Sequence, residues 1–165
     1  MKKIVTLIIT MLMVVSLAGC SSKTVERDPV LSEDLNKVIE KIYDTADLNN
    51  EQREALKYYQ TTDLDKSNVE GILGSKDIKF EQGIISAPMM SAVPYQLVLL
   101  KLDEKADVKA TKELILKNAN PRKWVCVEAE EVIVENIDNT VLFIMANKED
   151  ATPVKDAFMA LSEVK

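Results

Sequence analysis

No histidine occurs anywhere in the 165 residues. The commonest general base at neutral pH and the commonest side-chain ligand of transition metals are therefore both missing. Glycine is scarce, with four in the whole chain. A phosphate-cradling loop or a nucleophile elbow needs glycines at set spacings, and neither pattern occurs. Cysteine is limited to Cys20 and Cys126, with no paired CxxC. Basic residues are the minority, 21 against 27 acidic, which disfavours binding to nucleic acid. A long membrane span is missing from the first residues too. The apolar run Ile4–Leu17 is 14 residues, broken by Thr6, Thr10 and Ser16, where a spanning helix needs about 20.

What stands at the N-terminus instead is a short signal. Lys2 and Lys3 supply a positive start and Ile4–Leu17 the apolar centre. Leu17-Ala18-Gly19-Cys20 follows, and it resembles the lipobox of bacterial lipoproteins. That resemblance implies cleavage before Cys20 and a thioether-linked diacylglycerol on its sulfur. The protein is then held on the extracytoplasmic face of the cell membrane. Two acyl chains suffice for stable anchoring, because each buried CH₂ contributes ~0.8 kcal/mol. Removing residues 1–19 leaves 146 residues, enough for one domain with a proper core. With Lys2 and Lys3 gone, 19 basic residues face 27 acidic ones, a net charge of −8. With Cys20 occupied by lipid, Cys126 has no partner for an intramolecular disulfide.

The division expected is a signal over 1–19, a lipidated tether over 20–30 and a single domain over 31–165. Within that domain 31–74 reads as mostly helical and 79–164 as a core of sheet plus helices. Asp28-Pro29 suits a helix start, and Leu31, Leu35, Val38, Ile39, Ile42 and Tyr43 recur with helical spacing. Asn49 or Asn50 suits the cap of a second helix carrying Ala55, Leu56 and Tyr59. Thr61–Ser67 has turn composition, and Val69–Leu73 fits either regular structure. Strands are expected over Phe80–Ser86, Tyr95–Leu102, Val132–Val134 and Val141–Met145. Trp124–Ala129 fits a strand or an ordered loop. Val108, Thr111, Leu114, Ile115 and Asn118 mark a helix stopped by Asn120-Pro121. Thr152-Pro153 reads as an N-cap and first position of a last helix. Strand-strand-helix repeated twice predicts an α+β fold, an antiparallel sheet with helices packed on one face.

Gly83-Ile84-Ile85-Ser86-Ala87-Pro88-Met89-Met90, then Val93-Pro94-Tyr95, resemble a family of small lipoproteins of Gram-positive, largely clostridial, bacteria. So do Asn120-Pro121-Arg122-Lys123-Trp124-Val125-Cys126-Val127 and Val132-Ile133-Val134-Glu135-Asn136. The similarity covers roughly Leu56–Leu161. That family is catalogued only as a domain of unknown function, so the resemblance implies compartment and fold and adds no mechanism.

Four groups of residues can carry function. Met89 and Met90 sit between Pro88 and Pro94, where two prolines stiffen the chain and methionine adapts to varied partners. The alternative is that both fill the core at a bulge. Arg122 and Lys123 directly precede Trp124, a set able to bind an anionic polymer, a lipid headgroup or a partner's carboxylates. The alternative is a tryptophan capping the core beside solvated cations. Cys126 is a nucleophile only if its thiol is acidified, and a buried structural thiol is the reading adopted. Glu128, Glu130 and Glu131 offer carboxylates for a hydrolase if two of them flank a cleft, and otherwise form a solvated acidic strand. Asp63-Leu64-Asp65-Lys66-Ser67 opens like a calcium loop. Asn68 replaces the required glycine at its sixth position and Gly74 the glutamate at its twelfth.

The function expected is a lipid-anchored binding or interaction module without catalytic activity, metal or cofactor. Its partners are the membrane, through the lipid on Cys20, and an envelope protein or ligand, with no nucleic acid. The alternatives are a cell-envelope hydrolase using acidic residues and a small solute-binding accessory subunit.

Overall fold

The computed structural model describes residue 31 and residues 34–163. The signal, Cys20 and the Asp28-Pro29 helix start lie outside them. Ten elements follow in order: α1 Leu35–Thr45, α2 Asn50–Leu56, β1 Tyr59–Asp63, α3 Val69–Leu73, β2 Gln82–Pro88, β3 Gln96–Lys101, α4 Val108–Asn118, β4 Glu131–Ile137, β5 Thr140–Ala146 and α5 Lys148–Ala160.

The five strands form one antiparallel sheet in the order β1-β2-β3-β5-β4. The α+β class and the antiparallel sheet are thus as the sequence pattern predicts. The one-sided covering is not. Leu97 and Leu99 of β3 face one core, with Ile84, Leu142 and Ile144. Val98 and Leu100 face a second core, with Val141, Phe143 and Met145. Strands apolar on both faces need cover on both. Leu35, Val38, Ile39 and Ile42 of α1, with Val154, Ala157 and Phe158 of α5, close the first face. Val69 and Leu73 of α3, with Ile115 of α4, close the second. The units β2-β3-α4 and β4-β5-α5 therefore place their helices on opposite sides. Burying each of α1's four aliphatic side chains contributes about 1.5–3 kcal/mol relative to exposure.

Three local expectations are corrected, for Tyr59, for Thr61–Asp63 and for the start of the last helix, and the choice left open at Trp124–Ala129 is resolved. Tyr59 and Thr61–Asp63 belong to edge strand β1, not to a helix and a turn. The strand is held by its ladder to β2, from Tyr59↔Pro88 to Asp63↔Ile84, and the β-branched threonines suit it. Trp124–Ala129 is an ordered loop. The last helix begins at Lys148, so Pro153 is its sixth residue rather than its first.

Pro153 has no N–H to give the carbonyl of Glu149 one turn earlier. The gap is filled from α2. Gln52 Nε2 donates to Glu149 O at 3.0 Å and to Asp150 Oδ1 at 2.8 Å. The same side chain's Oε1 accepts from Asn49 N at 2.8 Å, while Asn49 Oδ1 accepts from Gln52 N at 3.0 Å. One glutamine thus completes the capping box of α2 and mends α5.

Candidate functional site

The sheet register brings several separate segments to one end. β2 finishes there at Pro88, β3 starts at Gln96, β4 starts at Glu131 and β5 finishes at Ala146. The β2–β3 loop carries Met89 and Met90, and the α4–β4 loop carries Arg122 to Glu130. Val125 N donates to Ser91 O at 3.2 Å and joins the two loops. Met89, Met90 and Val125 are 67%, 68% and 64% exposed. The methionines therefore do not fill the core at a bulge, and Val125 on the neighbouring loop is exposed as they are. Loop residues 89–94 pair with no strand, so nothing in the ladder turns the two methionines inward.

The remaining members of the tryptophan segment split up. Trp124 is partly buried against the second core. Lys123 Nζ lies 5.8 Å from the centre of its ring. That ammonium turns inward and donates to the buried Gln96 Oε1 at 2.5 Å and to Gly71 O at 3.2 Å. Gln96 Nε2 donates in turn to Ile72 O at 3.2 Å. Burial draws the Lys123 pKa below the usual lysine value. Lys123 is thus a tie between the loop, β3 and α3, whereas Arg122 remains on the surface and pairs with Glu128 at 2.7 Å. An exposed pair of this kind contributes about 0–1 kcal/mol.

Cys126 is exposed and not, as the sequence suggests, a buried thiol. Its backbone adopts φ +61°, which directs this loop back toward β4. Glu130 Oε2 accepts from Lys148 N at 3.0 Å. It satisfies one of the free N–H groups of α5, which Asn147 leaves without a side-chain cap. Glu128 and Glu130 are thus held by different partners. Asp65 caps its own turn, accepting from Ser67 N and Oγ at 2.7 and 2.6 Å. Among the described residues no cluster of histidine, cysteine or acidic side chains is arranged to hold a metal, and no helix is long and apolar enough to cross a membrane.

The first-core side of this sheet end holds a feature absent from the sequence reading. Tyr59 of β1 and Tyr95 before β3 have ring centres 4.7 Å apart, inclined at 49°. Tyr95 Oη donates to Tyr43 Oη at 3.1 Å, and Tyr43 Oη donates to the buried Ser86 Oγ at 2.8 Å. Burial pushes Tyr43 and Tyr59 up to about 12, and Tyr95 well above the usual tyrosine value. The charge of Asp150 adds to the burial effect on Tyr59 and Tyr95. A cavity of about 270 Å³ is bordered by Tyr59, Tyr95, α2 and the first turn of α5.

The chain matches no family model, no curated protein and no solved structure.

Proposed function

We propose that this chain is a lipid-anchored extracytoplasmic module that works by binding a protein partner, with no chemistry of its own, and that it is kin to the clostridial lipoproteins whose motifs it resembles. The lipobox supports the anchor. The observation that carries the binding surface is the junction of the β2–β3 and α4–β4 loops. There the backbone bond from Val125 to Ser91 brings together two loops distant in sequence, and Met89, Met90 and Val125 on them are all exposed. Apolar surface left in water forgoes about 25 cal/mol per Å², and a cluster of exposed apolar side chains is a mark of interaction sites. Methionine suits the task because its flexible thioether moulds to a partner. Arg122 and Glu128 supply the polar rim that such surfaces carry.

The test is chemical crosslinking on intact cells that carry either the wild-type chain or the double variant Met89→Ser/Met90→Ser. The expected result is a discrete adduct that falls roughly tenfold or more in the variant, since central apolar contacts dominate binding. The variant's unfolding midpoint should stay unchanged, because both side chains are already in water. An adduct of equal yield in the two chains overturns the assignment of this surface.

A further inference from the structure

We propose that the cavity bordered by Tyr59, Tyr95, α2 and the first turn of α5 binds a small organic ammonium ion. This site lies on the first-core side; from the β2–β3 loop Val93 and Tyr95 line it, and Met89 and Met90 do not.

Three features of the cavity converge on a cation. Its volume of about 270 Å³ lies near the lower end of ligand pockets, which suits a molecule of few heavy atoms. Two of its walls are the inclined rings of Tyr59 and Tyr95. The two rings touch each other, and an ammonium ion seated against them is attracted by their electron-rich π systems. Its charged lining is of one sign: Glu51, Glu149 and Asp150 contribute carboxylates, and no lysine or arginine lines it.

The tyrosines are held as neutral phenols, so the rings act through their faces. Tyr95 is locked by its hydrogen bond to Tyr43, and Asp150 by Gln52. The recognition groups are thus set before a ligand arrives, which reduces the entropy lost on binding. The N-terminus of α5 alone would favour an anion, but Glu149 and Asp150 in its first turn already meet that partial charge. The same apolar rings and carboxylates disfavour an anionic ligand.

The experiment is calorimetric titration of the full chain in neutral detergent with tetramethylammonium and n-butylammonium. Neopentyl alcohol serves as an uncharged probe of similar size to tetramethylammonium, and glycerophosphocholine as a headgroup-borne cation. Saturable binding of at least one ammonium probe is expected, about tenfold or more tighter than neopentyl alcohol. Glycerophosphocholine binding as tightly as tetramethylammonium assigns the cation to a headgroup, and weaker binding assigns it to a free amine. Asp150→Asn keeps the acceptor for Gln52 while removing the charge, and should weaken the cation by about tenfold. Glu51→Gln, on the exposed face of α2, should weaken it as well and serves should Asp150→Asn not fold. No saturable binding of either ammonium, equal affinity for neopentyl alcohol, or unchanged affinity in every folded variant overturns the proposal.

Discussion

Gly74 ends α3 in the left-handed region at φ +76°. A Cβ there would run into the backbone carbonyl oxygen of Asn118, at the end of α4. Space and conformation thus both require glycine where the two helices of the second face meet. Gly74→Ala is expected to lower stability by about 2 kcal/mol or more, from left-handed strain plus overlap with an atom that cannot move freely. Urea denaturation measures this, and a change within a few tenths of a kcal/mol would show that α3 and α4 can part without loss. The sequence reading met Gly74 only as a poor twelfth position of a calcium loop. Its real neighbour is 44 residues away in sequence, beyond the reach of a local pattern. An unpaired cysteine is among the residues most often buried, whereas Cys126 lies exposed in a loop with φ +61°.

Among the elements, α5 shows what tertiary context does to a local signal. Thr152-Pro153 looks like a helix start because proline is favoured in the first turn. The helix begins at Lys148 because Gln52 supplies the donor that Pro153 lacks. Gln52→Ala should cost about 1–3 kcal/mol, since it leaves Glu149 O without that donor and opens the capping box of α2. Pro153→Ala restores an N–H within α5. In that background the penalty of Gln52→Ala should shrink by about 1 kcal/mol, measured as a double-mutant cycle. Equal penalties in both backgrounds would mean that the Gln52–Glu149 bond contributes nothing. The central strands were legible because Leu97–Leu100 and Val141–Met145 are unbroken apolar runs. Helix α4 was legible from its spacing and the Asn120-Pro121 stop. Edge strand β1 was not, because its exposed residues Gln60–Asp63 carry no apolar alternation and only the ladder to β2 holds them extended.

At the scale of the whole molecule, three tyrosines tie α1, β1 and the start of β3 around the first core. Folding raises the pKa of Tyr43 and Tyr59 from 10.0 to about 12, and burial raises that of Tyr95 well above its usual value too. The folded protein therefore holds these protons more tightly than the unfolded chain does. Their contribution to stability is complete below pH 10 and is lost as pH rises through the folded values. Tyr43 alone accounts for a fall of up to about 1.4 kcal/mol per pH unit in the window from 10 to about 12. Urea midpoints should decline over that window, less steeply in Tyr43→Phe. A wild-type profile that stays level to pH 12 would contradict tyrosine burial on this scale. The candidate site was half legible. Met89 and Met90 were singled out by their prolines, but Val125 joins them only through the hydrogen bond to Ser91. Tyr59, Tyr95 and Asp150 meet only in the folded chain.

The bond between Gln52 and Glu149 spans 97 positions, so two walls of the tyrosine-lined cavity, α2 and the first turn of α5, come from widely separated parts of the chain. Bringing such distant segments together costs closure entropy that local elements do not incur. The central hairpins β2–β3 and β4–β5 can form over much shorter separations. On this topology the cavity is expected to be completed after the β2–β3 and β4–β5 hairpins and to open before they part. An occupied cavity would then serve as a latch, slowing the first step of unfolding in a protein that has no disulfide among its described residues to do so.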